Sequence, residues 1–176
     1  MEKLQQNYDV DIHWRSFELR PAGSPPITPQ HLAQIEASRP RFEQMAREQY
    51  GLEVHSGPFG IDSRLALIAE KYAESQGKGA DFHKAVMNAY WQEARDISDI
   101  NVLKEIASNV GLNIKQFETA LQDLQFDAEV SADVQLAHEY GLNGVPALIF
   151  ADKYLVSGAQ PYELLKQVVE RVQEEE

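Results

Sequence analysis

Cysteine is absent from this 176-residue sequence. That absence excludes a disulfide framework, thiolate metal ligands and any thiol–disulfide exchange run by the chain's own side chains, though it leaves the compartment open. Basic charge is also scarce. Lys and Arg total 16 against 28 Asp and Glu, a net charge of −12. No nucleic-acid partner is expected, because phosphate binding needs clustered Lys and Arg; an acidic surface of this kind keeps a soluble protein dispersed. Long apolar runs are lacking too: no stretch approaches the roughly 20 residues of a membrane span, so no membrane partner is expected. Met1 to Asn7 is polar and has none of the apolar core of a secretory signal, so the expected location is cytoplasmic. There is no glycine-rich phosphate loop and no nucleophile elbow. The 5 histidines (His13, His31, His55, His83, His138) are scattered, with no pair at helical ligand spacing. Neither a metal nor a cofactor is expected. Asp96 to Asp99 reads as a capped helix start, since nothing nearby would raise one carboxyl's pKa above another's.

What is present is enough for a folded core. Hydrophobic residues make up 43% and charged residues 25%, distributed along a chain of one-domain length. From Tyr8 to Leu19, Val10, Ile12 and Trp14 alternate with Asp11, His13 and Arg15, the two-residue period of a half-buried strand. The phase slips at Arg15–Ser16, as a bulge would make it. Prolines 21, 25, 26 and 29 with Gly23 make the next stretch a loop. Thr28 followed by Pro29 is a helix start, and Pro40 is expected to divide or kink the helix over Gln30 to Tyr50. After a loop from Gly51 to Gly60, Asp62 caps a helix with the stripe Leu65, Ile68, Ala69 and Tyr72. Further helices follow, on Phe82, Val86 and Ala89; on Leu103, Ile106 and Val110 after Ser98; on Phe117, Leu121 and Leu124 after Asn113; and on Phe126, Val130, Val134 and Ala137, ending at Gly141. Ala147 to Phe150 is a short buried strand, Ala151–Asp152–Lys153 turn the chain into a second at Tyr154 to Val156, and Pro161 opens the last helix.

Gly144-Val145-Pro146, directly before the strand at Ala147, admits two readings. Proline is tolerated at the first position of a strand. Alternatively, a cis Val145–Pro146 bond turns a backbone edge toward a neighbouring site. The longer pattern bears on the choice. Gly144-Val145-Pro146-Ala147-Leu148-Ile149-Phe150, a hairpin, and then Val156-Ser157-Gly158-Ala159-Gln160-Pro161 resemble the signature of the DsbA family, in its FrnE-like branch. Phe17-Glu18-Leu19 with Pro21, Ser63-Arg64 with Ala66, Ala89-Tyr90-Trp91 and Asp96-Ile97-Ser98-Asp99 extend the resemblance through nearly the whole chain. Two positions depart from it, Asp62 where relatives often have Asn and Leu67 where they often have His.

The resemblance implies an α/β protein with a thioredoxin-like fold, incomplete at the N-terminus. It implies a single domain over residues 1–176, with a large all-helical insertion over about 28–141. It implies a cis Val145–Pro146 bond and a substrate-binding edge at Gly144, Val145 and Pro146. The implied activity is that of a protein-disulfide oxidoreductase or isomerase acting on thiols or disulfides of protein or peptide substrates. Members carry a Cys-x-x-Cys after a first strand, at a helix N-terminus that stabilises the thiolate. Met1 to Asn7 resembles the last turns of that helix, so the dithiol is expected upstream of Met1. No catalytic residue is expected within the chain, which as written should be inactive. Removing a central strand would leave buried backbone groups unpaired at about 1–3 kcal/mol each, which makes a homodimer with paired edges one expected remedy. Two other readings stay open: a cysteine-free peptide-binding module on the same fold, and a kappa-type glutathione-transferase or isomerase relative whose catalytic residue also lies upstream.

Overall fold

The computed structural model describes residues 1–55 and 57–175. Of the loop expected from Gly51 to Gly60, Ser56 lies outside the described residues, and the rest is non-helical. The chain forms two compact units. One joins Met1–Leu19 to Asp133–Glu176, and the other is Arg20–Ala132.

Among the described residues, the regular elements of the second unit are all helices. Its helices are α2 (Pro29–Tyr50), α3 (Arg64–Ser75), α4 (Gly79–Trp91), α5 (Ile100–Asn109), α6 (Ile114–Ala120) and the first part of α7 (Leu124–Glu139). α2 starts where a cap and a first-turn proline place it, with Thr28 Oγ1 accepting the His31 N–H at 3.2 Å. It runs through Pro40 as one helix of 22 residues rather than two pieces, and it buries only Ala46. α6 starts on Asn113, whose side chain accepts the Gln116 N–H at 3.1 Å. One start sits a residue from the expected cap: α5 is capped by Asp99, not Ser98. α3 takes its side-chain cap from Asp62, which accepts the Arg64 N–H at 2.8 Å, while the Ser63 side chain makes no capping bond.

Side-chain size explains the core of this unit. Ala69 and Ala73 on α3 are fully buried, and with so little volume they let α4 approach closely. Phe82, Leu103, Phe117 and Val130 then fill the centre, each at 0% exposure. Tyr72 meets Phe117 and Phe126 edge-on, at 6.0 and 5.8 Å between ring centres, the arrangement that ring quadrupoles favour. At the α3–α4 contact, His83 lies 2.8 Å from Glu70, and the buried Lys71 ammonium reaches Glu74 at 3.2 Å. Arg64 holds the start of α7 by donating to Asp127 Oδ1 and to the Asp127 carbonyl.

The first unit contains α1 (Glu2–Asn7), the end of α7, the strands β1 (Ala147–Phe150) and β2 (Tyr154–Ser157), and α8 (Tyr162–Glu174). β1 and β2 form an antiparallel hairpin in which Leu148 faces Val156 and Phe150 faces Tyr154. Phe150 and Val156 pack against Leu4, Leu165 and Val169, the buried centre of this unit, together with Tyr8, Val10 and Tyr162. The other hairpin face carries Ile149 and Leu155, 36% and 51% exposed. On α8, Leu165 and Val169 are buried while Leu164 is 39% exposed.

One expected element does not form. Tyr8 to Leu19 has no regular secondary structure and, among the described residues, pairs with no strand. Alternation reports which side of an extended segment is buried, whereas a strand also needs a neighbouring backbone. Here other groups satisfy part of it. The Tyr8 N–H caps α1 at the Leu4 carbonyl (2.8 Å), and its hydroxyl donates to Glu170 Oε1 (2.8 Å). At Arg15–Ser16, where the phase slips, α7 supplies the partner. The buried Asp133 accepts the Ser16 N–H on Oδ2 at 2.9 Å and Arg15 Nη1 on Oδ1 at 3.1 Å. A side chain, not a bulge in a ladder, holds the chain there.

Candidate functional site

The three residues singled out before β1 lie together at one end of the hairpin. α7 stops cleanly just before them. Gly141 takes a φ of 68°, its N–H reaches the His138 carbonyl, and the Leu142 N–H reaches that of Ala137, both at 2.9 Å. This is the left-handed helix ending that glycine permits without a Cβ penalty. Asn143 and Gly144 then carry the chain to a cis Val145–Pro146 peptide bond, and β1 follows immediately.

On the facing strand the ladder continues past its last paired residues. The Gly158 N–H donates to the Pro146 carbonyl at 2.8 Å, one step beyond Ala147 opposite Ser157. Gly158 has a φ of 79°, and Gln160 Nε2 donates to the Ser157 carbonyl at 2.9 Å, so the turn out of β2 is tied back on itself. Between these two segments lies a groove of about 370 Å³ lined by Leu142, Asn143, Gly144, Val145, Pro146, Leu155 and Ser157, among others. Val145 is 53% exposed on its rim. Among the described residues, no hydrogen bond within the chain uses the Val145 N–H or carbonyl.

The lining is apolar or neutral, with no ionisable side chain in it. It therefore offers contact area and free backbone groups. It offers no acid, base or charged partner for a reacting group. Among the described residues there is also no cluster of three or more His, Asp or Glu that could hold a metal ion, and no helix is long and apolar enough to cross a membrane.

Gly144, Val145 and Pro146 are thus brought together with residues that the sequence reading did not assign to the site: Asn143, Leu155, Ser157 and Gly158. The signal for the last three was available. Once Phe150 is set opposite Tyr154, antiparallel counting puts Leu155 opposite Ile149, Ser157 opposite Ala147 and Gly158 opposite Pro146.

Comparison with known proteins agrees with this architecture. YwbO, an uncharacterized protein of Bacillus subtilis, is 28% identical over 165 residues, which is 90% of this chain and 80% of that protein. The ClpXP adapter protein SpxH of Bacillus subtilis is 28% identical over 113 residues, 60% of this chain but only 38% of the adapter. Among solved structures, a probable DsbA oxidoreductase from Streptomyces coelicolor superposes with a TM-score of 0.79 at 25% identity, covering 92% of this chain and 75% of that one. A 2-hydroxychromene-2-carboxylate isomerase superposes with a TM-score of 0.81 over 99% of this chain and 87% of its own; at 20% identity that likeness concerns the fold. The family described as DSBA-like thioredoxin domain matches residues 1–170, nearly the whole sequence, and to that family this chain belongs.

Proposed function

We propose that the chain is the polypeptide-binding part of a DsbA-type thiol–disulfide oxidoreductase or isomerase of the FrnE-like branch, and that an extended segment of a substrate protein lies along Gly144, Val145 and Pro146. The observation that carries this reading is the pair of unused backbone groups on Val145, exposed at the rim of a neutral groove. An extended peptide satisfies such groups in the manner of an added strand, and it gains affinity from main-chain bonds that do not depend on its sequence. Leu142 and Leu155 add apolar contact for alternate side chains of the bound segment.

Exchange itself needs a thiolate to attack a disulfide sulfur. This sequence has no cysteine, so its sulfur is confined to 3 methionines. The chain by itself is therefore a binder and not a catalyst. A purely binding role on this fold is the second reading, and the name of the adapter SpxH describes a role of that kind for that protein.

The test is an NMR titration of the chain with reduced, carboxamidomethylated insulin B chain. Saturable shifts at Asn143 to Ala147 and at Leu155 to Gly158, with no turnover in an insulin-reduction assay, support the proposal. Absence of shifts at these amides refutes it, and shifts there on adding glutathione alone would instead favour the kappa-type relative.

A further inference from the structure

β1 has an outer edge that the described residues leave unpaired. The Gly158 N–H meets the Pro146 carbonyl at 2.8 Å, which makes this a hydrogen-bonded position of the ladder. Such positions alternate along an antiparallel pair, so Leu148 with Val156 and Phe150 with Tyr154 are bonded likewise. Ala147 and Ile149 fall between them and turn their N–H and C=O groups away from β2. Among the described residues, no hydrogen bond from elsewhere in the chain reaches these groups. No residue of β1 is buried, and Ile149 is 36% exposed.

This edge also lacks the features that keep sheet edges apart. Exposed edges recruit strands unless charge, proline or a bulge blunts them. Leu142 to Ala151 carries no charged residue, although 25% of the chain is charged and its net charge is −12. Pro146 does not blunt the edge, because its missing N–H belongs to a position that faces β2 rather than the outside. The opposite edge, on β2, is closed at one end, where Gln160 Nε2 donates to the Ser157 carbonyl at 2.9 Å.

We propose that β1 pairs with β1 of a second copy of this chain, antiparallel about a two-fold axis at Leu148. In that register Ala147 of one copy lies opposite Ile149 of the other, and each such pair exchanges N–H···O=C bonds. Pro146 falls opposite Phe150, at a position of the new ladder that needs no N–H. A second copy brings the same uncharged segment, so no like charges meet across the pairing. Ile149, exposed in the single chain, packs beside the small Ala147 of the other copy. The contact closes on itself, because each β1 edge is used up by the other. The inference does not rest on the peptide site, but a peptide continued from Val145 along β1 competes for the same groups.

The test is sedimentation of the full chain from about 10 µM to about 1 mM, the range suited to a small interface. A monomer–dimer equilibrium is expected. At the high end the Ala147 and Ile149 amides should exchange about tenfold or more slowly than at the low end, while those of Leu155 and Ser157 stay unchanged. Raising salt from about 20 to about 300 mM should tighten association, because each copy carries −12. Ile149→Lys puts a charge on the edge and should weaken association about tenfold or more. It also lowers the net negative charge, so added repulsion between whole chains does not account for the loss. Ile149→Pro deletes an outward N–H and should act in the same direction. Circular dichroism melts at about 10 µM show whether each variant is folded. A monomer throughout the range overturns the proposal. So does a dimer whose Ala147 and Ile149 amides exchange as in the monomer, one that salt dissociates, or one that persists undiminished in folded Ile149→Lys. None of these readouts involves a peptide, so their failure leaves the proposed peptide site to its own test.

Discussion

Replacing Asp133 by alanine isolates what holds the segment over Tyr8 to Leu19. Asp133 is 5% exposed and Ser16 is 6% exposed, so the hydrogen bond from the Ser16 N–H to Asp133 Oδ2 is shielded from water. Removing the acceptor leaves a buried N–H without its partner, at about 1–3 kcal/mol. The second bond contributes less. The Arg15 side chain is 64% exposed, so its pairing with Asp133 contributes about 1 kcal/mol at most. A combined loss of about 2–3 kcal/mol is therefore expected, a large part of the roughly 5–15 kcal/mol that stabilises a domain. With a urea dependence of about 1–3 kcal/mol per molar, the unfolding midpoint should fall by about 1 M. Two further variants separate the contributions. Asp133→Asn keeps an oxygen for the Ser16 N–H and should lose less than half as much, while Arg15→Gln should shift the midpoint least of the three. Hydrogen exchange at the Ser16 amide should accelerate in Asp133→Ala and stay slow in Arg15→Gln. If Asp133→Ala unfolds at the wild-type midpoint, or if Arg15→Gln costs as much as it does, the anchoring argument fails.

Other expectations follow from single contacts. Burial, together with the hydrogen bond to Glu170, raises the Tyr8 hydroxyl from 10.0 to about 12. Because the folded form holds this proton longer than the unfolded chain, Tyr8 contributes stability below pH 10 that disappears between pH 10 and about 12. Burial also raises the Tyr90 hydroxyl, so absorbance titration at 295 nm should show a late component that shrinks in Tyr8→Phe, and a profile identical in the two proteins would refute the assignment. Ala151 sits in the hairpin turn at a φ of 48°, a conformation that asparagine tolerates better than alanine. Ala151→Asn should therefore raise stability by about 0.5 kcal/mol in urea melts, and a lower midpoint would argue against the turn geometry. Phe82→Ala removes a fully buried ring from the helical core and should cost about 3–5 kcal/mol. A loss under about 1 kcal/mol would mean that the site is not packed as described.

Most helices were legible because each carries its signal locally. Thr28 and Asn113 cap the helices they were expected to cap, and Phe82, Leu103, Phe117 and Val130 are buried where the stripes place them. The error at Ser98 has a plain cause. Asp96, Ser98 and Asp99 are all capping residues, so composition alone does not choose among neighbours that could each accept a first-turn N–H. Tyr8 to Leu19 is a different kind of error. Its alternation holds at Val10 and Ile12, half-buried beside the exposed Asp11 and His13, but not at Trp14, which is 42% exposed. A ladder, however, belongs to two segments, and nothing within one of them says whether the other is there.

The candidate site was legible for the opposite reason: it is a hairpin and the residues just before it. Strand limits at Ala147–Phe150 and Tyr154–Ser157 fix the register, and the register carries Gly158 to Pro146. No long-range contact has to be guessed. The proposed pairing by main chain fits the neutral lining. A groove that bound a peptide through the Val145 backbone would need no charged side chain, and so would leave no titratable signal for a reading that looks for acids, bases and metal ligands. The helical core shows the complementary limit. Tyr72 and Phe126 lie on α3 and α7, and each reads in the sequence as an ordinary core residue at helical spacing. Only the packing shows that their rings meet edge-on, 5.8 Å apart. A feature built from a local backbone turn can therefore be located from the sequence, whereas one built from side chains of separate helices depends on the fold that assembles them.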